Sequence, residues 1–335
     1  MQVQFRMNAK APISRFFRLF FRAVWWSFGV AVFAGLVLRW WSGDHFFLAR
    51  YTVYLMPWLL IGLLPGMIWA GLMQHLRLAT VLGLSAAIIL GHHAHLFRFS
   101  QETSSRPAAE IKVITFNTWS KNPYADRIAQ VVQNHRPDIL LLQEINPKVF
   151  NALLTDLHGL YGEGDVYSAY APALLQAVVS RYPLTSLEVF EEKAKAQAVR
   201  VELPRGSFIV FNVHPLWGNW LRRHNQLKAL IEENVLAEPG PIILGGDFNT
   251  PDQTDTYRLI SKYLNNAHGK AGRGFGFTFP SQLSSFNRKI SLLPMVRIDH
   301  IFLSSHFEIL TSYIIEDSAG SDHKPVAAEV QLKSI

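Results

Sequence analysis

The sequence predicts three transmembrane helices followed by an α/β domain in which two packed sheets are covered by helices. Apolar stretches fill most of residues 16–97, and a polar linker follows at 101–110. From residue 111 onward, short apolar strands alternate with amphipathic helices. Because the strands outnumber the helices between them, two packed sheets with outer helices are favoured. Of the 335 residues, 49 % are hydrophobic and 17 % are charged, which excludes disorder over most of the chain.

The net charge of +7 is carried entirely by the N-terminal third. Residues 1–100 contain nine Lys or Arg and one acidic residue, whereas residues 101–335 contain 23 basic and 24 acidic residues. The C-terminal two thirds is therefore near neutral, which argues against electrostatic binding along a phosphate backbone. The chain has no cysteine, so disulfides, thiolate metal sites and a cysteine nucleophile are excluded.

Residues 1–100 form the predicted membrane region, with spans at about 23–40, 51–74 and 78–97. The first run, residues 23–38, can cross a bilayer if the arginines on either side reach the two interfaces. The second has no charged residue from 51 to 73, and its prolines are tolerated where membrane helices pack together. Buried helices of a soluble protein are the alternative, and they fit runs of this length less well.

Positive charge predicts the orientation of these spans. Five basic residues precede the first span, whereas the loop between the first and second spans has only two arginines and one aspartate. The positive-inside rule places the N-terminus in the cytoplasm, so three spans place the C-terminal domain outside it, at the cytoplasmic (inner) membrane. If one segment only lies at the interface, the domain returns to the cytosol.

The C-terminal domain is predicted to comprise residues 111–335. Strand-like segments are bounded by turn residues, and helical segments show apolar residues at helical spacing. Strands are predicted at 111–119, 138–145, 175–180, 186–190, 196–203, 207–213, 241–249, 296–303, 307–315 and 325–332. Helices are predicted at 124–136, 147–158, 219–236 and 255–265.

Polar residues cluster at the ends of these apolar strands, where a rigid scaffold presents reactive groups. A single such residue is typical of an ordinary turn, but six groups together are not. A buried carboxylate also costs several kcal/mol unless it is paired or metal-bound. The groups are Asn117, Gln143 with Glu144, His214, Asp247 with Asn249, Asp299 with His300, and Ser321 with Asp322 and His323.

These stretches resemble the endonuclease/exonuclease/phosphatase superfamily, the metal-dependent phosphoesterases of the DNase I-like fold. The matching pieces are TFNTW, LLLQE, NVHP, GGDFN, RIDHIF and GSDHKP, in the order of the family. The resemblance covers residues 112–332 and implies a four-layer α/β sandwich. Three N-terminal spans before such a domain also resemble the bacterial membrane proteins associated with glycopeptide resistance, and that group implies dephosphorylation of polyprenyl carrier lipids.

The resemblance implies a site for one divalent cation, Mg²⁺ or Mn²⁺. Glu144 would be its main ligand, and Asn117 and Asp322 would complete or order its shell. Oxygen ligands with bound waters suit these hard ions.

The resemblance also implies five catalytic roles. Asp247 would position and deprotonate the attacking water, and Asn249 would bind the phosphate. His323, oriented by Asp299, would donate a hydrogen bond to a phosphoryl oxygen. His214 would stabilise charge on the phosphate or the leaving oxygen. Such a site works by positioning and electrostatic neutralisation.

The sequences of two loops predict contact with the membrane lipid bilayer and with a phosphorylated lipid as the substrate. After His214 come Trp217, Arg222 and Arg223. Before Asp299, an apolar run at 292–295 is followed by Arg297. Apolar tips flanked by cations suit a loop that dips into a membrane interface. The alternative is that these apolar residues cover the core of the sandwich.

Three functions follow from the sequence. The first is a membrane-anchored phosphoesterase acting on a lipid phosphate. The second is a membrane-tethered nuclease, which the domain charge and Trp119 disfavour, since the DNA-repair members have a polar residue at that place. The third is a non-catalytic binding domain, which would require the loss of a catalytic residue, and none of those named is missing.

Overall fold

The computed structural model describes residues 11–97, 110–162, 166–285 and 288–333. The chain divides into two compact units after Ala94. Of the predicted linker at 101–110, all but the last residue lies outside the described residues.

The described part of the first unit consists of three long helices, α1 (Ala11–Ser42), α2 (Phe47–Leu72) and α3 (Leu76–His93). Segments long and apolar enough to cross a membrane run from Arg15 to Ser42, Phe47 to Leu72 and Leu76 to Phe97, with mean hydropathy of 1.7, 1.7 and 1.4. Only 22–33 % of each apolar window is buried inside the protein. Most of the apolar surface therefore faces outward, which is compatible with membrane association.

The second unit contains two six-stranded mixed sheets. The first sheet has the order β13–β14–β1–β2–β4–β3, and the second has the order β5–β6–β7–β8–β12–β9. The strands are β1 (Ile111–Asn117), β2 (Ile139–Gln143), β3 (Tyr167–Ala171), β4 (Gln176–Ser180), β5 (Leu184–Phe190), β6 (Ala196–Leu203), β7 (Gly206–Val213), β8 (Ile242–Asp247), β9 (Asn265–Asn266), β12 (Asp299–Leu303), β13 (Phe307–Ile314) and β14 (Val326–Leu332), and a separate hairpin is formed by β10 (Gln282–Ser285) and β11 (Arg288–Ser291).

Among the residues that the structure describes, five α-helices accompany the sheets: α4 (Ala125–His135), α5 (Pro147–Tyr161), α6 (Trp220–Leu230), α7 (Asp255–Ser261) and α8 (Ala267–Ala271). Three apolar clusters define the layers. One joins the inner faces of the two sheets, one joins the first sheet to α4 and α5, and one joins the second sheet to α6 and α7. This is the predicted four-layer α/β sandwich, preceded by three long apolar helices.

Some elements differ from the sequence prediction. The helix predicted at 255–265 ends at Ser261, and the strand predicted at 296–303 begins at Asp299. The segments β3, β9, α8 and the β10–β11 hairpin were not predicted. The two-residue β9 exists only because it pairs with β12, a partner far along the chain, so its own sequence carries little signal.

Sheet topology brings the polar strand ends to one edge of the sandwich. β1 runs parallel to β2, and β7 runs parallel to β8, so the carboxyl ends of each pair lie side by side. β12 and β14 are antiparallel to their neighbours β8 and β1, so their amino ends reach the same edge. The two sheets also approach closely here. A Cβ added at Gly245 in β8 would lie only 2.5 Å from Leu141 Cδ1 in β2, so the glycine makes room for the leucine of the other sheet.

Candidate active site

An amide and two carboxylates meet at the centre of this edge. Asn117 Nδ2 donates hydrogen bonds to Asp247 Oδ2 at 3.0 Å and to Glu144 Oε1 at 3.3 Å. Asn117 ends β1, Glu144 follows β2 and Asp247 ends β8, so the group joins both sheets. Glu144 has a φ of 52°, in the left-handed region, which turns it away from the preceding strand.

His214 faces both carboxylates. Its Nε2 lies 3.6 Å from Glu144 Oε1 and 3.6 Å from Asp247 Oδ2. Burial opposes the ionisation of Glu144, but a hydrogen bond from the Ser120 backbone amide and the charge of His214 outweigh it and lower the pKa of the carboxyl. Glu144 is therefore ionised at neutral pH and available as an oxygen ligand.

His323 and Asp299 form a buried pair beside Asp247. His323 Nδ1 lies 2.9 Å from Asp299 Oδ2, and His323 Nε2 lies 3.7 Å from Asp247 Oδ2. Burial alone would lower the pKa of His323, but the charges of Asp299 and Asp247 raise it to about 10. Burial raises the pKa of Asp299. The raised pKa keeps the His323 ring protonated at neutral pH, so Nδ1 can donate to Asp299 and Nε2 can donate into the site.

Asp322 and Asn249 complete the site. Burial and the charge of nearby Glu144 raise the pKa of Asp322 against the opposing effect of His323. Asn249 is 6 % exposed, its backbone amide donates to Asp247 Oδ1 at 2.8 Å, and its Nδ2 donates to the Pro215 carbonyl at 2.9 Å. The structure thus brings together all eight residues predicted for catalysis and metal binding.

The donor set fits a divalent cation. Carboxylates outnumber histidines in the site, so negative charge is in excess. The carboxylates are those of Glu144, Asp247, Asp299 and Asp322, and the histidines are His214 and His323. Asp247, Asp299 and His323 each offer one ligand atom, and these atoms lie within 4.8 Å of one another. This grouping differs from the predicted ligands. Because a protonated His323 ring has no lone pair for a metal, the ionised Glu144 is the better ligand.

The residues predicted to bind substrate divide into two pairs. Trp217 is 65 % exposed, and its ring centroid lies 6.5 Å from that of Phe279, which in turn lies 4.7 Å from the His323 ring. The Arg222 side chain is 58 % exposed and lies 3.7 Å from the carboxylate of Glu192. Trp217 therefore borders the site, and Arg222 is open to solvent.

Arg223 and Arg297 were predicted to flank exposed loop tips, but both are buried. Arg223 Nε donates to Thr250 Oγ1 at 3.1 Å. Arg297 is 1 % exposed, and its Nη2 lies 2.6 Å from Asp252 Oδ2. Both guanidinium groups hold the loop that follows Asp247, so neither is placed to meet a membrane. The side chains point inward because these residues lie on the packed faces of α6 and of the segment before β12.

Two further residues support the site and were not predicted. The Ser120 backbone amide donates to Glu144 Oε2 at 3.0 Å, and Thr278 Oγ1 accepts from the Asp299 amide at 3.4 Å. Ser120 acts through its backbone, so its residue type carries no signal. His300 points away from Asp299, as expected from strand alternation, and lies with Nε2 2.9 Å from the Thr250 carbonyl oxygen.

Comparison with known proteins identifies the family. The family model described as Endonuclease/Exonuclease/phosphatase family matches residues 114–323. The chain belongs to the endonuclease/exonuclease/phosphatase family. Members of this family are hydrolases that act on phosphate esters, and they generally use divalent metals. No curated protein sequence matches the chain.

Solved structures of the endonuclease/exonuclease/phosphatase family share the fold of the second unit. One is a family protein from Leptotrichia buccalis C-1013-b, with a TM-score of 0.55 and 16 % identity, covering 66 % of this chain and 100 % of that one. A mannosyl-6-phosphatase from Bacteroides thetaiotaomicron VPI-5482 has a TM-score of 0.52 and 20 % identity, covering 67 % and 100 %. D. rerio TDP2 complexed with single-strand DNA product has a TM-score of 0.51 and 15 % identity, covering 66 % and 98 %.

Proposed function

We propose that this chain is a membrane-anchored, divalent-metal-dependent phosphoesterase that hydrolyses a phosphate ester or diphosphate of a lipid by in-line attack of an activated water. The observation that carries the proposal is the convergence of Asn117, Glu144, His214, Asp247 and His323 within hydrogen-bond or near-contact distances. A non-catalytic binding domain would not explain why these buried, charged groups are held together at a cost in free energy.

Glu144, Asn117 and Asp322 would hold the cation, which we propose to be Mg²⁺ or Mn²⁺. Glu144 is held by the Ser120 amide and Asn117, so one of its oxygens needs little reorganisation to bind a metal. A bound divalent cation would neutralise charge that develops on the phosphoryl oxygens.

Asp247 would orient the attacking water and accept its proton. It is 1 % exposed and fixed by Asn117, which favours a single orientation of the carboxylate. Asn249 and His323 would bind phosphoryl oxygens, and Asp299 would hold the His323 ring. His214 would stabilise charge on the phosphate or the leaving oxygen, since it faces Glu144 and Asp247 across the site.

Three features support a lipid substrate. Within the described residues, three helices are long and apolar enough to cross a membrane. Exposed apolar side chains, Leu216, Trp217, Leu293 and Met295, lie on the two loops that flank the site residues. The domain is near neutral, which disfavours a long nucleic acid. The fold itself does not choose, because similar structures include a mannosyl-6-phosphatase and TDP2.

We place the domain outside the cytoplasm, at the outer face of the cytoplasmic membrane. Basic residues concentrate before the first span, and three spans reverse the side on which the chain continues.

The test uses full-length protein in detergent with Mg²⁺. Wild type, Asp247→Asn and the control Asp156→Ala are assayed on polyprenyl diphosphate, phospholipids and plasmid DNA. Asp156 is exposed on α5 and is not one of the site residues. The proposal expects lipid hydrolysis in wild type and control, lost on Asp247→Asn and on chelation of the metal. DNA cleavage with the same dependence and no lipid turnover would replace it with the nuclease, and inactivity on every phosphate ester would overturn it.

A further inference from the structure

Two buried amide side chains join the two sheets directly beneath the site. Gln143, the last residue of β2, donates a hydrogen bond from Nε2 to Oδ1 of Asn212 in β7 at 2.7 Å. Both residues are 0 % exposed. We infer that this Gln143–Asn212 bridge sets the position of Glu144 relative to His214, which makes Gln143 and Asn212 positioning residues of the site. The inference rests on the proposed phosphoesterase function.

The amide hydrogens of the bridge are all used. Gln143 Nε2 also donates to Thr115 Oγ1 at 3.0 Å. Asn212 Nδ2 donates to the carbonyl oxygens of Leu142 at 3.0 Å and Ala177 at 3.1 Å. An amide nitrogen has two hydrogens, and both are bonded in each residue. A satisfied polar network in a core that excludes water is rigid and specifies one arrangement.

The bridge is coupled to the site through very short stretches of chain. Glu144 follows Gln143 directly, and His214 follows Asn212 by two residues. Glu144 Oε1 and His214 Nε2 lie 3.6 Å apart, although the two residues come from different sheets. The apolar contacts between the sheets are non-directional, so they do not by themselves orient one residue toward another. A hydrogen bond 2.7 Å long fixes direction as well as distance, so it can hold the two residues in register.

A second buried glutamine provides a matched comparison. Gln197 in β6 is 1 % exposed, and its Nε2 donates to the Ala169 carbonyl of β3, in the other sheet, at 3.0 Å. Neither strand carries a residue of the candidate site. The glutamine Gln176 is a poorer comparison, because it bonds to the Lys195 carbonyl, which also accepts from the His214 amide.

The experiment compares Gln143→Met and Gln197→Met with wild type, as full chains in detergent. Methionine keeps the length of glutamine and removes its hydrogen bonds. We expect both variants to lower the metal-free Tm, Gln143→Met by at least as much, because it loses two donated hydrogen bonds and Gln197→Met loses one. Only Gln143→Met should raise the MnCl₂ concentration that gives half of the Mn²⁺-induced rise in Tm, by about tenfold or more. With polyprenyl diphosphate as substrate, only Gln143→Met should lower kcat, roughly ten- to hundredfold, with KM changed less than about threefold.

Equal Mn²⁺ responses and equal kcat losses in the two variants would overturn the inference, because the bridge would then only support the fold. If Gln143→Met does not fold, Gln143→Asn replaces it, since its amide is one methylene too short to reach Asn212. If wild type shows neither a Mn²⁺ response nor hydrolysis, the proposed function falls and the bridge inference falls with it. If wild type shows both and the variants match each other, only the bridge inference falls.

Discussion

Removing one partner of the Arg297–Asp252 ion pair is expected to destabilise the domain far more than removing one partner of a surface pair would. Arg297 Nη2 lies 2.6 Å from Asp252 Oδ2, and the side chains are 1 % and 14 % exposed. Arg297 Nε and Nη1 are buried, and no hydrogen-bond partner for either is found among the described residues. Replacing Asp252 by alanine therefore leaves a buried cation without its partner carboxylate.

The expected cost of Asp252→Ala is about 3–5 kcal/mol of unfolding free energy, the range for breaking a buried ion pair. For a unit of about this size, that lowers Tm by roughly 6–20 °C. The double variant Asp252→Ala/Arg297→Met removes the buried charge as well, and replacing a whole buried pair by apolar groups is often neutral. The double variant should therefore be more stable than Asp252→Ala alone.

Thermal melts of full-length protein in detergent, followed by tryptophan fluorescence, give the four Tm values of the double-mutant cycle. Lys228→Ala, at an exposed pair with Glu232 on one helix, is the control and should change Tm little. A loss below about 1 kcal/mol in Asp252→Ala, or a double variant no more stable than the single one, refutes the reasoning. An increase in KM at unchanged Tm in Arg297→Met would instead restore the substrate-binding role predicted from sequence.

Three other predictions concern pH, lipid contact and topology. Burial, together with the charge of Arg297, lowers the pKa of His268 from 6.5 to about 4. As pH falls, the unfolded chain therefore binds a proton at this histidine before the folded chain does. The contribution of His268 to the free energy of unfolding is complete above pH 6.5 and falls by about 3 kcal/mol as pH drops to 4. In melts from pH 7.5 to 4.5, His268→Gln should lose less Tm than wild type, and equal losses would contradict this. Trp217→Ser should reduce hydrolysis of vesicle-borne lipid about three- to tenfold and leave a soluble phosphate ester unaffected; equal effects on both substrates would place Trp217 in the chemistry instead. Asp156→Cys, the only cysteine in that variant, should react with a membrane-impermeant maleimide in intact spheroplasts, and labelling only after lysis would put the domain in the cytoplasm.

The short strands and the inter-sheet contacts show where sequence reasoning stops. The long helices and central strands were predicted because apolar periodicity is a local signal. The pairing of β9 with β12 and the contact of Gln143 with Asn212, 69 residues away, depend on partners distant in sequence. Gln143 was grouped with the strand-end residues, but it faces the core between the sheets, because strand residues alternate between faces.

By itself, the sequence determined the fold class, the family resemblance and the eight polar residues of the candidate site. Residue type and order along the chain are sufficient for these, since the strands end where Asn117, Glu144 and Asp247 stand. Tertiary structure decided that Arg223 and Arg297 are buried, that His323 pairs with Asp299, and that an amide bridge joins the sheets. These depend on which side chains meet across 24 to 69 residues of chain, and burial and pKa are set by those neighbours rather than by residue type.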